Sequence, residues 1–239
     1  MVEISVIVPA LNEEGFIENT LKSLRSQKFD GKYEIIVADG QSEDRTVELA
    51  KKFADKVVVC PNRGAGRQRN HATKFASGKI LAFIDSDTLA DPNWLKSIKE
   101  SFSNDKVVAT VGTLWPMEEN VNKGIYDLAN ILQRGLVKIR MPLFWGASCA
   151  FRREAFEKVG GFDERLSMSE DHDISLRIKD HGKVVFNKQM IAYTSNRRFE
   201  SKDGWILYIL EGLGYFLFKK SKQYVPVKPY NPQKAMSLK

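Results

Sequence analysis

Within the first 84 residues four short apolar runs, ISVIV, YEIIVA, KVVVC and KILAFI, alternate with segments whose apolar residues recur at helical spacing. The runs are short and rich in β-branched residues, which reads as buried strands. Between them Phe16, Ile17, Thr20, Leu21 and Leu24 share one helical face, as do Val47, Ala50 and Ala54. Strand, helix, strand, helix in this order predicts an α/β fold: a mostly parallel sheet, right-handed crossovers, and helices on both faces. Ligands of such sheets gather at the carboxyl ends of the strands. Those ends read PALNEE, DGQSED, CPNRGAGRQRN and DSDT, all polar.

The fourth run leads straight into Asp85 and Asp87. Two carboxylates that close resist ionising together unless a cation sits between them. Neither a histidine nor a thiol stands nearby, so a hard divalent ion held by oxygen, Mg²⁺ or Mn²⁺, suits the pair, with phosphate oxygens completing its shell. In NRGAGRQRN two glycines allow close backbone approach and the following helix can present its amides to anionic oxygens. Arginine forks suit phosphate, so Arg67 or Arg69 is a candidate diphosphate contact.

Further on, Asp91 and Pro92 read as the N-cap and first residue of a helix through Trp94, Leu95 and Ile98. VVATVGTLW reads as a strand, residues 117 to about 140 as a helix or two, and WGASCAFRREAF as a strand turning into a helix. In SEDHDISLRIKDHG, Ser169 is the expected N-cap and Gly182 the stop. Glu170 and Asp171 then occupy a first helical turn, where the macrodipole favours the ionised carboxylate that a general base must be.

In order and spacing, VIVPALNEE, IIVADGQSEDRT, FIDSDT and GGFDERLSMSEDHDISLRI resemble the motifs of family 2 glycosyltransferases over roughly residues 4 to 180. The resemblance implies the GT-A fold, a Rossmann-like sheet, and transfer of a sugar from a nucleotide-diphosphate donor linked to uridine, guanosine or deoxythymidine. It implies a hexosyl- or N-acetylhexosaminyl-transferase acting by inversion on a saccharide or lipid-linked acceptor. It makes FIDSDT the family's DxD motif, with Asp87 on the metal and Asp85 beside it, near the ribose or donor sugar. Asp39 would bind the base, with Pro9, Asn12 and Glu13 lining the same pocket. Asp171 would deprotonate the acceptor hydroxyl and Glu170 would orient the acceptor. Many GT-A enzymes add a late histidine to the metal; after His181 this chain has none and reads AYTSNRRFESKDGW, with Arg197 and Arg198 facing the diphosphate or an anionic acceptor as candidates. Two alternatives stay open: a polyprenyl-phosphate glycosyltransferase, whose anionic acceptor needs no base, and a nucleotide-sugar binding protein without turnover.

Residues 1–200 are expected to form the catalytic domain and 201–239 an appendage. From Trp205 to Phe218 only Glu211 is charged, and Lys219, Lys220 and Lys222 follow. Fourteen residues fall short of the ~20 that span a bilayer. Such an apolar helix can lie in a membrane interface, close the core, or form a dimer seam. Between Lys219 and Lys239 there are six lysines and no acid, which leaves the remaining chain nearly neutral, with 31 basic and 30 acidic residues. Nucleic-acid readers carry their charge on the folded domain, so none is expected as a partner. Cys60 and Cys149 fit no disulfide or zinc pattern, and the start of the chain lacks the features of a secretory signal. A cytoplasmic protein, peripheral on the membrane, is the expectation.

Overall fold

The computed structural model describes residues 1–144, 146–166 and 169–199. The apolar run Trp205–Phe218, the lysine tail and the expected boundary at residue 200 lie outside them.

The first half alternates as the apolar pattern predicts. Strands β1 (Ile4–Ala10), β2 (Tyr33–Asp39), β3 (Lys56–Val59) and β4 (Ile80–Ile84) are separated by helices α1 (Ile17–Arg25), α2 (Thr46–Ala50) and α3 (Ala65–Thr73). Then follow β5 (Thr88–Ala90), α4 (Trp94–Ser101), β6 (Val107–Pro116), α5 (Lys123–Lys138), β7 (Ser148–Arg152), α6 (Arg153–Lys158), α7 (Glu170–Ile178), β8 (Lys183–Thr194) and a 3-10 turn at Asn196–Phe199. One sheet of eight strands has the order β3-β2-β1-β4-β7-β6-β8-β5. The strands β3, β2, β1 and β4 are mutually parallel; β7 runs against both β4 and β6, and β5 runs against β8. Because β1, β2 and β4 share a direction, Ala10, Asp39 and Asp85 emerge on one edge.

Side chains alternate across the sheet and fill two cores. Ile4, Val6 and Val8 of β1 with Ile35 and Val37 of β2 face Leu21, Leu24, Trp94 and Leu95. Ile7, Ile36 and Phe83 face the other way, toward Phe151, Phe156, Phe162, Ile174 and Ile178. In that second core Phe83 meets Phe162 edge to face with ring centres 5.2 Å apart, a geometry that aligns ring edge with ring face. Phe162 arrives there through Gly160 and Gly161, both at positive φ, a backbone state that costs glycine little. Asn70 then holds the Phe162 peptide at both ends, accepting from its N–H and donating to its C=O.

Two local expectations need correction. α4 begins at Trp94, because Asp91 accepts the Asn93 amide and starts a turn through Pro92 first. Ser169 is the N-cap of α7, as expected, in a left-handed conformation and without a capping side-chain bond. α7 ends at Ile178, ahead of Gly182, which instead lets β8 approach Val108 closely.

Candidate active site

The turn after β4 is fixed from three directions. Thr20 Oγ1 of α1 donates to Ser86 O at 2.7 Å, Ser195 N to Asp87 O at 3.0 Å, and Asp85 N to Ala147 O at 3.4 Å. These contacts set Asp85 and Asp87 at the rim of the sheet. Asp87 is buried, at 3% exposure.

Each aspartate meets an arginine from a different segment. Arg197 Nε and Nη2 reach Asp87 Oδ2 at 2.9 and 2.8 Å, and Nη2 reaches both oxygens of Glu13 at 2.6 and 2.7 Å. The same guanidinium lies 4.4 Å from the Phe16 ring centre. Burial alone would lower the Arg197 pKa, but Asp87 and Glu13 outweigh it and raise it. The resemblance expects Glu13 in the base pocket; its carboxylate instead shares this arginine with Asp87, because the chain enters α1 at that point and turns it toward β4.

Arg69 connects the other two acids. Nη2 donates to Asp85 Oδ1 at 2.8 Å and Nη1 to Glu170 Oε1 at 2.5 Å, with the guanidinium 5.3 Å from the Phe162 ring. It is 3% exposed, and burial pulls its pKa down while Asp85 and Glu170 carry it above the ordinary value. Burial pushes the Glu170 carboxyl up; Arg69 opposes the rise and Asp171 adds to it. Asp171 Oδ2 accepts the Gly146 amide at 2.7 Å, and Oδ1 accepts the His172 amide at 2.8 Å. Arg69 therefore joins the acidic pair after β4 to the acidic pair at the head of α7. With both ends on carboxylates it is placed as an organiser, a position that differs from the diphosphate contact expected of it. Arg67 is exposed and donates to Glu164 O at 3.1 Å, away from Asp85 and Asp87.

At the ends of β1 and β2 lies a second pocket. Asp39 Oδ2 accepts the amides of Gln41 and Ser42, while Oδ1 is buried and has no partner among the described residues. A buried carboxylate oxygen left open demands a donor from a ligand or water. Pro9 stands in register with Ala38 next to it. Asn12 takes the Glu43 amide and gives its own amide to Ser42 Oγ, clasping the two loops. Gln68, which the motif pattern did not single out, donates from Nε2 to Ala10 O and Ala38 O and so locks the strand ends together.

Asp85 Oδ2 and Asp87 Oδ1 make no hydrogen bond among the described residues, whereas their partner oxygens hold Arg69 and Arg197. Hard oxygens of this kind fit Mg²⁺ or Mn²⁺, which commonly take one or two carboxylates and fill the remaining positions with phosphate oxygens and water. No group of three or more His, Cys, Asp and Glu able to hold a metal ion occurs among the described residues. Arg197 lies in AYTSNRRFESKDGW, the stretch near which the resemblance looks for a late histidine, and its charge neutralises part of the acidic group. Cys60 and Cys149 are buried free thiols; burial pushes Cys60 up to about 11 and carries Cys149 up as well.

Comparison with known proteins agrees with the geometry. The model of glycosyl transferase family 2 matches residues 5–160. A glucosyl-dolichyl phosphate glucuronosyltransferase of Haloferax volcanii is 26% identical over 240 aligned positions, covering 89% of this chain and 75% of its own. The poly(ribitol-phosphate) beta-N-acetylglucosaminyltransferase TarS of Staphylococcus aureus is 35% identical over 103 residues, 40% of this chain and 18% of the relative. Among solved structures, a mannosyltransferase of Pyrobaculum calidifontis in complex with GDP-Man and Mn²⁺ superposes with a TM-score of 0.76 at 23% identity, covering 95% of this chain and 67% of that one. TarS in complex with UDP-GlcNAc superposes with a TM-score of 0.66 at 22% identity, covering 81% and 58%. At these identities the superpositions establish the GT-A fold.

Proposed function

The chain belongs to glycosyl transferase family 2, and on that premise we propose that it moves a hexosyl or N-acetylhexosaminyl group from a nucleotide-diphosphate sugar to an acceptor hydroxyl, with inversion. The observation that carries this reading is the arrangement of two acidic pairs on either side of Arg69, one at the donor end of the sheet and one at the head of α7.

The open oxygen of Asp39 accepts an N–H from the base, which uracil, thymine and guanine all supply. Pro9 and Asn12 bound the same pocket. Asp87 and Asp85 would hold a divalent cation, Mn²⁺ or Mg²⁺, which supplies positive charge to the leaving nucleoside diphosphate. Arg197, beside Asp87, adds a fixed positive charge on the same side. Asp171 takes the proton of the acceptor hydroxyl; the Gly146 amide fixes its direction and leaves lone pairs on both oxygens for that bond. Glu170, held by Arg69, orients the acceptor. Arg67 is not assigned a diphosphate role, and Arg69 acts by positioning.

A hydroxyl acceptor is favoured over a bare polyprenyl phosphate, because an acceptor that is already an anion gives Asp171 no proton to remove. The Haloferax relative is named for a glucosyl-dolichyl phosphate, and a sugar carried on a lipid is the acceptor class we assign here. No helix among the described residues is long and apolar enough to cross a membrane. We place the protein at the cytoplasmic membrane surface as a peripheral enzyme. Asp171→Asn tests the assignment: transfer falls by about 10²–10⁴-fold while donor affinity, measured by calorimetry, stays at the parent value. Turnover near the parent rate with the true acceptor would overturn it.

A further inference from the structure

We infer that the outer face of α5 is a docking surface for an anionic lipid bilayer. The inner face of this helix is accounted for: Tyr126 and Gln133 are buried, and Asn130 bonds both the N–H and the C=O of Leu114. On the opposite side Ile125, Leu128, Ile131 and Leu132 follow one another three and four residues apart, and Ile139, just past the helix end and seven residues after Leu132, continues the same stripe. Leu128 and Ile131 are 67% and 68% exposed, Leu132 and Ile139 55% and 63%. A single exposed leucine needs no explanation, but a continuous apolar stripe marks a surface made to be covered.

The surrounding charge identifies what covers it. Arg134 and Lys138, three and seven residues on from Ile131, border one side of the stripe, with Asp127 the acid beside them. Arg134, Lys138 and Arg140 also line a groove of about 1070 Å³ together with Lys106, Lys179 and Lys183, six basic side chains against Asp105 and Asp180. An apolar face flanked by cations is how a helix lies in the headgroup layer, its apolar side among the acyl chains and its lysines and arginines near lipid phosphate. A twofold contact with a second copy would bring like cations together, which disfavours it.

The helix is tied to the site at both ends. Tyr126 Oη donates to Asn196 Oδ1, beside Arg197, and Gln133 Nε2 donates to Leu143 O, three residues before the Gly146 amide that holds Asp171. Docking on this face would hold the site close to the bilayer that carries lipid-linked acceptors; that consequence rests on the acceptor proposed above, whereas vesicle binding itself does not.

Flotation of the full chain with phosphatidylcholine vesicles, with and without phosphatidylglycerol, tests the inference without any substrate. The parent is expected to float with the anionic vesicles and to be released by salt. Leu128→Glu with Ile131→Glu, and separately Arg134→Glu with Lys138→Glu, are expected to lose about tenfold or more of that binding, with the melting temperature and the hydrolysis of soluble donor unchanged. Three results would overturn the inference. Both variants could bind as tightly as the parent. The leucine variant could disperse a dimer that shows no affinity for vesicles, which would assign the face to a second copy. A large fall in its melting temperature would assign the face to the chain's own apolar run, Trp205 to Phe218.

Discussion

Arg197 Nη2 lies 2.8 Å from Asp87 Oδ2, although 110 residues separate the two in the chain. The same guanidinium also holds Glu13, so one cation serves two carboxylates that are 3% and 8% exposed. Removing one partner of a buried ion pair costs about 3–5 kcal/mol, because the other charge stays buried and uncompensated. Arg197→Gln is therefore expected to melt well below the parent in the presence of a chelator. Added Mn²⁺ should raise its melting temperature by more than it raises the parent's, since the ion takes over the lost charge. Equal melting curves with and without Mn²⁺ would contradict this.

Asp39 provides a prediction about the donor. Its Oδ2 serves the loop amides, and its buried Oδ1 is open. In Asp39→Asn the loop amides keep an acceptor, but the open position becomes an NH₂ donor facing the N–H of the base. Leaving that donor without an acceptor costs about 1–3 kcal/mol, so calorimetry should read roughly ten- to a hundredfold weaker binding of the nucleoside diphosphate, with the fold unchanged. Unaltered affinity would remove Asp39 from the base pocket.

Glu34 couples stability to pH away from the site. Burial raises its carboxyl pKa, but Lys56 Nζ at 2.8 Å, Ser5 Oγ at 2.7 Å and the Ser77 amide at 2.6 Å outweigh burial and hold it below the usual 4.5. A group depressed on folding stabilises the native state above its unfolded pKa, and the contribution disappears as pH falls through the folded value. Glu34→Gln should thus be less stable than the parent by about 1–2 kcal/mol at pH 7. In urea unfolding the gap should narrow steadily as the pH drops below 4.5. A gap independent of pH would refute the assignment.

Much of the sheet was legible in the sequence because β1, β2 and β4 are buried on both faces and read as unbroken apolar runs. β8 escaped that test: KVVFNKQMIAYT is only partly buried, and its polar residues hide the strand. The acids at the ends of strands could be found, since strand ends are where such sheets bind ligands. The company they keep could not. Glu13 meets Arg197 across 184 residues and Arg69 meets Glu170 across 101, contacts set by how loops fold over the sheet edge and invisible to local spacing. The sequence marks Arg197 as a candidate for the diphosphate or an anionic acceptor but gives no sign of its carboxylate partners, and Gln68, whose amide locks two strand ends, carries no sequence signal of its own.

The most direct test of the account is calorimetric titration of a folded Asp87→Asn protein with the nucleotide-sugar that the parent binds, with and without Mn²⁺. The account predicts that binding weakens at least about tenfold and that Mn²⁺ no longer strengthens it, because a neutral amide is a poor ligand for a hard divalent ion. Donor and Mn²⁺ bound as tightly as by the parent would contradict it.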